Sequence, residues 1–115
     1  MKVAIATDDK VNVSHHFGRT LGFRVFEIVN SKIVKDEYRQ NVGKSNGQCG
    51  SCDHSSMINN IKDCNLVICY GMGQGIYNDL VSHNIMAVIT EEQTVDDAIS
   101  CLMKDDLVNR LDKLH

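Results

Sequence analysis

Cys49-Gly-Ser-Cys52-Asp-His54 sets two thiols and an imidazole within six residues. A Cys-x-x-Cys spacing lets two thiolates chelate one ion at about 2.3 Å each. Thiolate and imidazole together are ligands of zinc, copper(I) and iron–sulfur centres. The pair stands just before an apolar helical pattern, and a helix N-terminus lowers thiol pKa through its dipole. Three chemistries fit Cys49 and Cys52: metal or cluster ligation with His54 as a third ligand, a reversible dithiol, or plain loop cysteines. A second soft-ligand cluster is His15-His16-Phe17-Gly18. In an extended segment adjacent side chains point to opposite sides, so one histidine of the pair, His15 or His16, is expected to face a site. A third feature is Gly71-x-Gly73-x-Gly75 between a strand and a helix. It offers backbone N–H groups at the positive end of a dipole, which suits an anionic cluster or a phosphate as well as an empty tight turn. It is not the dinucleotide fingerprint, because position 76 is Ile.

These residues need a frame. Residues 2–7 form a short apolar run and read as a buried strand. Residues 22–29 and 32–39 flank the turn pair Asn30-Ser31 and read as a hairpin. Residues 40–52 hold three glycines and make a long loop, of the length usually tied to function or disorder. Met57, Ile58, Ile61 and Cys64 recur at helical spacing, with Asp53 or Ser55 as a cap. Residues 65–70 and 85–89 read as strands, and a helix between them carries Ile76, Leu80 and Val81 on one face. Thr94-Val95-Asp96-Asp97 is a capping-box variant opening a helix striped by Val95, Ala98, Ile99, Leu102 and Met103. Leu107, Val108, Leu111 and Leu114 suggest a last short helix. A leading meander followed by alternating strands and helices implies an α/β fold: a mixed five-stranded sheet, its first three strands antiparallel and the remainder parallel, flanked by helices. Ligands of open α/β sheets bind beyond strand C-terminal ends. Residues 8–18, 71–75 and 90–93 should meet there.

At 115 residues the chain reads as a single domain, 1–115, with 43% apolar residues to build a core. A net charge of −3 and scattered Lys and Arg argue against a nucleic-acid partner. Three Tyr, three Phe and no Trp argue against base stacking. No apolar run reaches the roughly 18–20 residues of a membrane span, and the start turns acidic at Asp8-Asp9, too soon for a signal peptide. The expectation is a cytoplasmic protein whose five cysteines serve metal, redox or packing roles rather than disulfides. Cys64, Cys69 and Cys101 fall on or beside apolar stripes and read as packing residues. Asp8 and Asp9 with Glu91 and Glu92 are too few convergent carboxylates for divalent-metal nuclease chemistry. No nucleophile–base–oxyanion set stands out, so the protein is expected not to be an enzyme.

Val3-Ala4-Ile5-Ala6-Thr7, then Val13-Ser14-x-His16-Phe17-Gly18-Arg19 and Phe23, resemble the opening of the dinitrogenase iron–molybdenum cofactor biosynthesis family. This is the NifX-like domain, also found at the C-terminus of NifB-type proteins. Leu66-Val67-Ile68-x-x-Gly71-Met72-Gly73 resembles its central strand and glycine turn, and Thr94-Val95-Asp96-Asp97-Ala98 the start of its last main helix. The resemblance implies a ribonuclease H-like fold that carries iron–sulfur or iron–molybdenum-type clusters, with His16 as the cluster-contacting residue. It also implies metal-cluster donor and acceptor proteins as partners. The Cys49–Cys52–His54 segment departs from the general pattern and resembles insertions of a subset of members. The resulting expectation is a carrier or scaffold, monomer or homodimer. Cys49, Cys52, His54 and His16 would hold the metal, and His16, Gly71, Gly73 and Gly75 would contact the cluster. The alternatives are a zinc-ordered interaction module and a thiol-redox protein.

Overall fold

The computed structural model describes residues 1–15, 17, 20–40 and 55–104, with residues 55–57 as backbone only. Its elements are β1 (Lys2–Thr7), β2 (Gly22–Val29), β3 (Lys32–Gln40), α1 (Ser55–Asn60), β4 (Leu66–Cys69), α2 (Gln74–Ser82), β5 (Met86–Ile89) and α3 (Val95–Met103). The sheet order is β3-β2-β1-β4-β5. β1 pairs antiparallel with β2 and parallel with β4, β2 pairs antiparallel with β3, and β4 pairs parallel with β5. This is the mixed α/β sheet expected from the element order.

Between Lys2 and Thr7 the β1 residues are all apolar because both faces are covered. Alternation along β1 sends Ala4 and Ala6 to one face, with Phe17, Phe23, Ile58, Ile61, Ile76 and Leu80. Val3 and Ile5 go to the other face, with Val13, Phe26, Val95, Ala98 and Ile99. Helices α1 and α2 therefore cover one side of the sheet and α3 the other. The hairpin closes through Asn30 and Ser31 at φ 53° and 62°, the two positive values that a tight primed turn demands.

Several details differ from the sequence expectation. Helix α1 ends at Asn60, so Cys64 lies beyond it, though still in the core. Val81 has the spacing of the buried stripe of α2 but is 51% exposed; the helix buries Ile76 and Leu80 and packs Tyr77 against the same cluster. β4 is shorter at both ends than 65–70, since Asn65 turns its side-chain oxygen to the Lys2 N–H (2.9 Å). The helix expected over Leu107–Leu114 lies outside the described residues.

β2 begins at Gly22 because the chain passes close to β3 there. A Cβ at this position would run into the Tyr38 ring and sit 2.7 Å from the Arg39 carbonyl oxygen. Gly22→Ala is expected to cost about 1–3 kcal/mol, the range for overpacking against a backbone that cannot yield, read as a lowered midpoint in urea.

Candidate functional site

The chain leaves β4 into α2 on one face of the sheet and leaves β5 into α3 on the other. Successive helices splaying to opposite faces open a crevice beyond the strand C-terminal ends, where open α/β sheets take ligands. The segment after β1 is laced across that rim. Val13 N–H donates to the Gln93 carbonyl (2.9 Å), Ser14 N–H to Ala6 (2.8 Å), Tyr70 N–H to Ser14 (3.2 Å) and Phe17 N–H to Gly71 (3.0 Å). The loops after β1, β4 and β5 thus meet, as the strand order demanded. β3 also ends at this rim, since Gln40 pairs with Gly22 and Gly22 with Thr7. The chain enters residues 41–54 from the same edge. That departure is fastened from the side. Asn60 donates to the Gln40 carbonyl (3.0 Å), and Arg39 grips Asp63 through two bonds of 2.6 and 2.9 Å.

The first loop is rigid for local reasons. Asp9 accepts from Asn12 N (2.7 Å), Val11 N (2.9 Å) and the Asn12 amide (2.7 Å). Thr7 Oγ1 donates to the Asn12 carbonyl (2.6 Å), and Lys10 takes φ 71° to let the chain turn. Asp8 accepts from Leu21 N (2.9 Å), joining the loop to the start of β2. Both carboxylates are therefore committed to the backbone, which leaves them poor candidates for divalent-metal catalysis. The donors at Asn12 and Val11 lower the Asp9 pKa to about 2. The Arg39 guanidinium, with Lys2 behind it, holds Asp63 well below the usual carboxylate range. Unfolding returns both to about 3.9, so the unfolded chain takes up protons first as the pH falls. Their contribution is whole above about pH 5 and fades between about pH 4 and 2. Urea unfolding across that window should show the loss, and an Asp9→Asn/Asp63→Asn double variant should show most of the slope removed.

The glycine turn divides its labour. Gly71 is buried; its carbonyl holds Phe17, and its amide partly offsets the burial that pushes the Cys69 thiol up to about 12. Gly73 and Gly75 differ: among the described residues, a Cβ on either would meet nothing within 4 Å. Gly73 is the N-cap of α2 at φ −80°, ψ 154°; no side chain caps the helix, and its first turn holds no acidic residue. Gln74 instead turns along the helix to Asn78 (3.1 Å). The neighbouring α3 is the contrast: Thr94 caps Asp97 N at 3.1 Å, and Asp96 and Asp97 sit in the first turn. One rim therefore carries two helix starts, one capped by its own side chain and one without a side-chain cap among the described residues.

His15 is exposed and stacks on Tyr70, ring centroids 4.5 Å apart and planes 29° apart. Sequence reasoning missed this pair; an aromatic closing a strand before a glycine turn was its one signal. It also missed the Arg39–Asp63 grip, which spans 24 residues and leaves no local pattern. Arg24 is occupied by Asp36 (2.5 Å) and the Lys10 carbonyl (3.1 Å) rather than held for an anion. Cys64 and Cys69 are buried and Cys101 half-buried, in keeping with packing roles. Burial pushes the Cys64 thiol up to about 11. Among the described residues no group of three or more His, Cys, Asp or Glu is gathered to hold a metal. His16, Cys49, Cys52 and His54 lie outside the described residues.

Solved structures share this architecture. PH0822 is 27% identical with a TM-score of 0.80, covering 97% of this chain and 98% of that one. A Methanocaldococcus jannaschii protein provisionally described as a dinitrogenase is 23% identical, with a TM-score of 0.74 over 96% of this chain and 95% of that one. The apo form of the orange protein from Desulfovibrio gigas is 17% identical, with a TM-score of 0.76 over 96% and 92%. The last two bear on the fold alone. No curated protein matches the chain. The family described as dinitrogenase iron–molybdenum cofactor matches residues 1–105, which take in the laced loop, the glycine turn and α3, and the chain belongs to that family.

Proposed function

We propose that this protein is a small, non-catalytic carrier that holds an iron–sulfur or iron–molybdenum-type cluster at the sheet rim and passes it from a donor to an acceptor protein. The observation that carries the reading is the start of α2, with no side-chain cap and no described residue within 4 Å of a Cβ at Gly73, at the rim where three loops and the end of β3 converge. Backbone N–H groups there would hydrogen-bond cluster sulfides, an interaction that tunes a cluster's potential. Cys49 and Cys52 would supply thiolates from the segment that leaves β3 at this edge, with His54 and His16 as imidazole ligands. Ligands borne on loops suit a protein that must release what it holds. We read the sheet, in which β2 alone runs against the other four strands, as ribonuclease H-like. We place the carrier in the cytoplasm, where thiols stay reduced; among the described residues no helix is long and apolar enough to cross a membrane.

Anaerobic reconstitution with ferrous iron and sulfide tests the reading. The expected product is coloured and holds stoichiometric iron and sulfide per chain or per pair of chains. Colourless protein with one equivalent of zinc would instead mark a zinc-ordered interaction module. A reversible two-proton mass change without metal would mark a thiol-redox protein. Gly73→Asp separates cargo from fold. A carboxylate at this N-cap changes stability by only a few tenths of a kcal/mol. Beside an anionic cluster the same charge is expected to speed cargo release about tenfold, a difference of about 1.4 kcal/mol, followed as transfer of iron to a chelator.

A further inference from the structure

We propose that Arg39 and Asp63 are positioning residues for the cargo, an assignment that rests on the carrier reading above. Their clamp fixes the two ends of the segment that bears Cys49 and Cys52, and so sets how firmly the cargo is held. Residues 41–54 leave the sheet at the end of β3 and the chain resumes at α1. Side chains tie those two points to each other. The Asn60 amide donates to the Gln40 carbonyl (3.0 Å), and Arg39 Nη1 donates to the Asn60 carbonyl (3.0 Å). The same guanidinium reaches on to both oxygens of Asp63, at 2.6 and 2.9 Å.

Isolated ion pairs at a surface hold little, but this one is built to keep its shape. Glu37 accepts from Arg39 Nε (2.7 Å), so the fork is held from its own strand as well as from its target. Lys2 Nζ binds the far oxygen of Asp63 (3.1 Å), which holds the carboxylate from behind. The Arg39 side chain is only 20% exposed, and a bidentate fork on a carboxylate fixes direction as well as distance. Helix α1 has no basic residue in its last turn, and Arg39 supplies the missing cation and donor at its final carbonyl. Burial of Ile58 and Ile61 already holds α1 to the sheet, but apolar burial is non-directional. The clamp adds the direction and fixes where Gln40 lies against Asn60. Two thiolates that must converge on one ion gain from fixed ends, because slack at either end adds arrangements that binding has to remove. The cost of closing a loop rises slowly with its length, so the clamp is worth a several-fold effect on cargo release.

The test loads wild-type protein and variants with ferrous iron and sulfide and follows iron passing to a chelator. Arg39→Ala and Asp63→Ala are each expected to release iron about fivefold faster than wild type. Their reduced clusters should show broader paramagnetic resonance lines, from a spread of ligand positions. The double variant should be no faster than either single one, because the two residues act as a unit. Asn60→Ala leaves the ion pair and removes the tie to Gln40; it is expected to speed release about twofold, in keeping with one lost hydrogen bond. Ile99→Ala lowers stability from the opposite face of the sheet, and it should keep the wild-type rate and line shape. Wild-type protein that loads, with Arg39→Ala matching it in rate and lines, would overturn the assignment alone. Equal acceleration in Ile99→Ala, or additive effects of the two clamp variants, would do the same. If Arg39→Ala does not fold, Asn60→Ala at the wild-type rate overturns it. Wild-type protein that takes up no iron would overturn the carrier reading and the assignment with it.

Discussion

Phe17→Ala is expected to destabilise the protein by about 3–5 kcal/mol, the range for deleting a buried phenyl ring. Phe17 is fully buried and lies against Phe23, ring centroids 5.5 Å apart, on the face covered by α1 and α2. It belongs to one buried cluster with Met72 and residues of β1 and β4, so little of the surroundings is free to collapse into the void. Domains of this size are stable by roughly 5–15 kcal/mol, so the change removes a large share. A melting temperature lowered by roughly 10–20 °C follows from the usual entropy of unfolding. Calorimetry checks both figures, and Phe17→Leu should lose under about 1.5 kcal/mol because it keeps most of the volume. A loss below 1 kcal/mol in Phe17→Ala would contradict the account. The effect reaches the rim as well, because the Phe17 N–H holds the Gly71 carbonyl and the Phe17 carbonyl receives Thr20 N–H (3.3 Å). Loosening Phe17 therefore frees the glycine turn from the strap.

The second large effect belongs to cargo rather than to fold. A Cys49→Ala/Cys52→Ala double variant is expected to fall below about a tenth of the wild-type iron after anaerobic reconstitution, because it removes the chelating thiolate pair that binds soft metals. Cys64→Ala provides the contrast. Its thiol is buried, pushed up to about 11, and engaged at 3.9 Å with Asp63. Cys64→Ala should lose stability yet keep full iron. Equal iron in wild type and the double variant would remove these thiols from the site.

Much of this architecture is written in local pattern. The run at Lys2–Thr7 has no polar interruption because both faces of β1 are covered, and that is readable from composition. Asn30-Ser31 and Thr94-x-x-Asp97 are legible because turn and cap chemistry act over two to four residues. The meeting of three loops at one rim followed from strand order, without any side chain. Other features resist such reading because they depend on distance through space. Val81 obeys the helical period but misses the sheet, since the period says nothing of how far a helix surface reaches over its neighbour. The Arg39–Asp63 grip joins the end of β3 to the turn after α1, and no spacing announces it. The His15–Tyr70 stack needed the strap to fold back along β1 before the rings could touch. At the glycine turn the sequence shows three equivalent glycines, whereas Gly71 serves the scaffold and a Cβ on Gly73 or Gly75 would touch none of the described residues. For Cys49, Cys52, His54 and His16, residue type and spacing remain the whole of the argument.

The most direct measurement is the metal and acid-labile sulfide content of the protein isolated without oxygen. The carrier account predicts iron with matching sulfide, with or without molybdenum, in a fixed ratio to the chain and lost on exposure to air or chelator. Protein isolated in this way with one zinc per chain and no sulfide, or with no metal at all and no capacity to take up iron and sulfide, would contradict it.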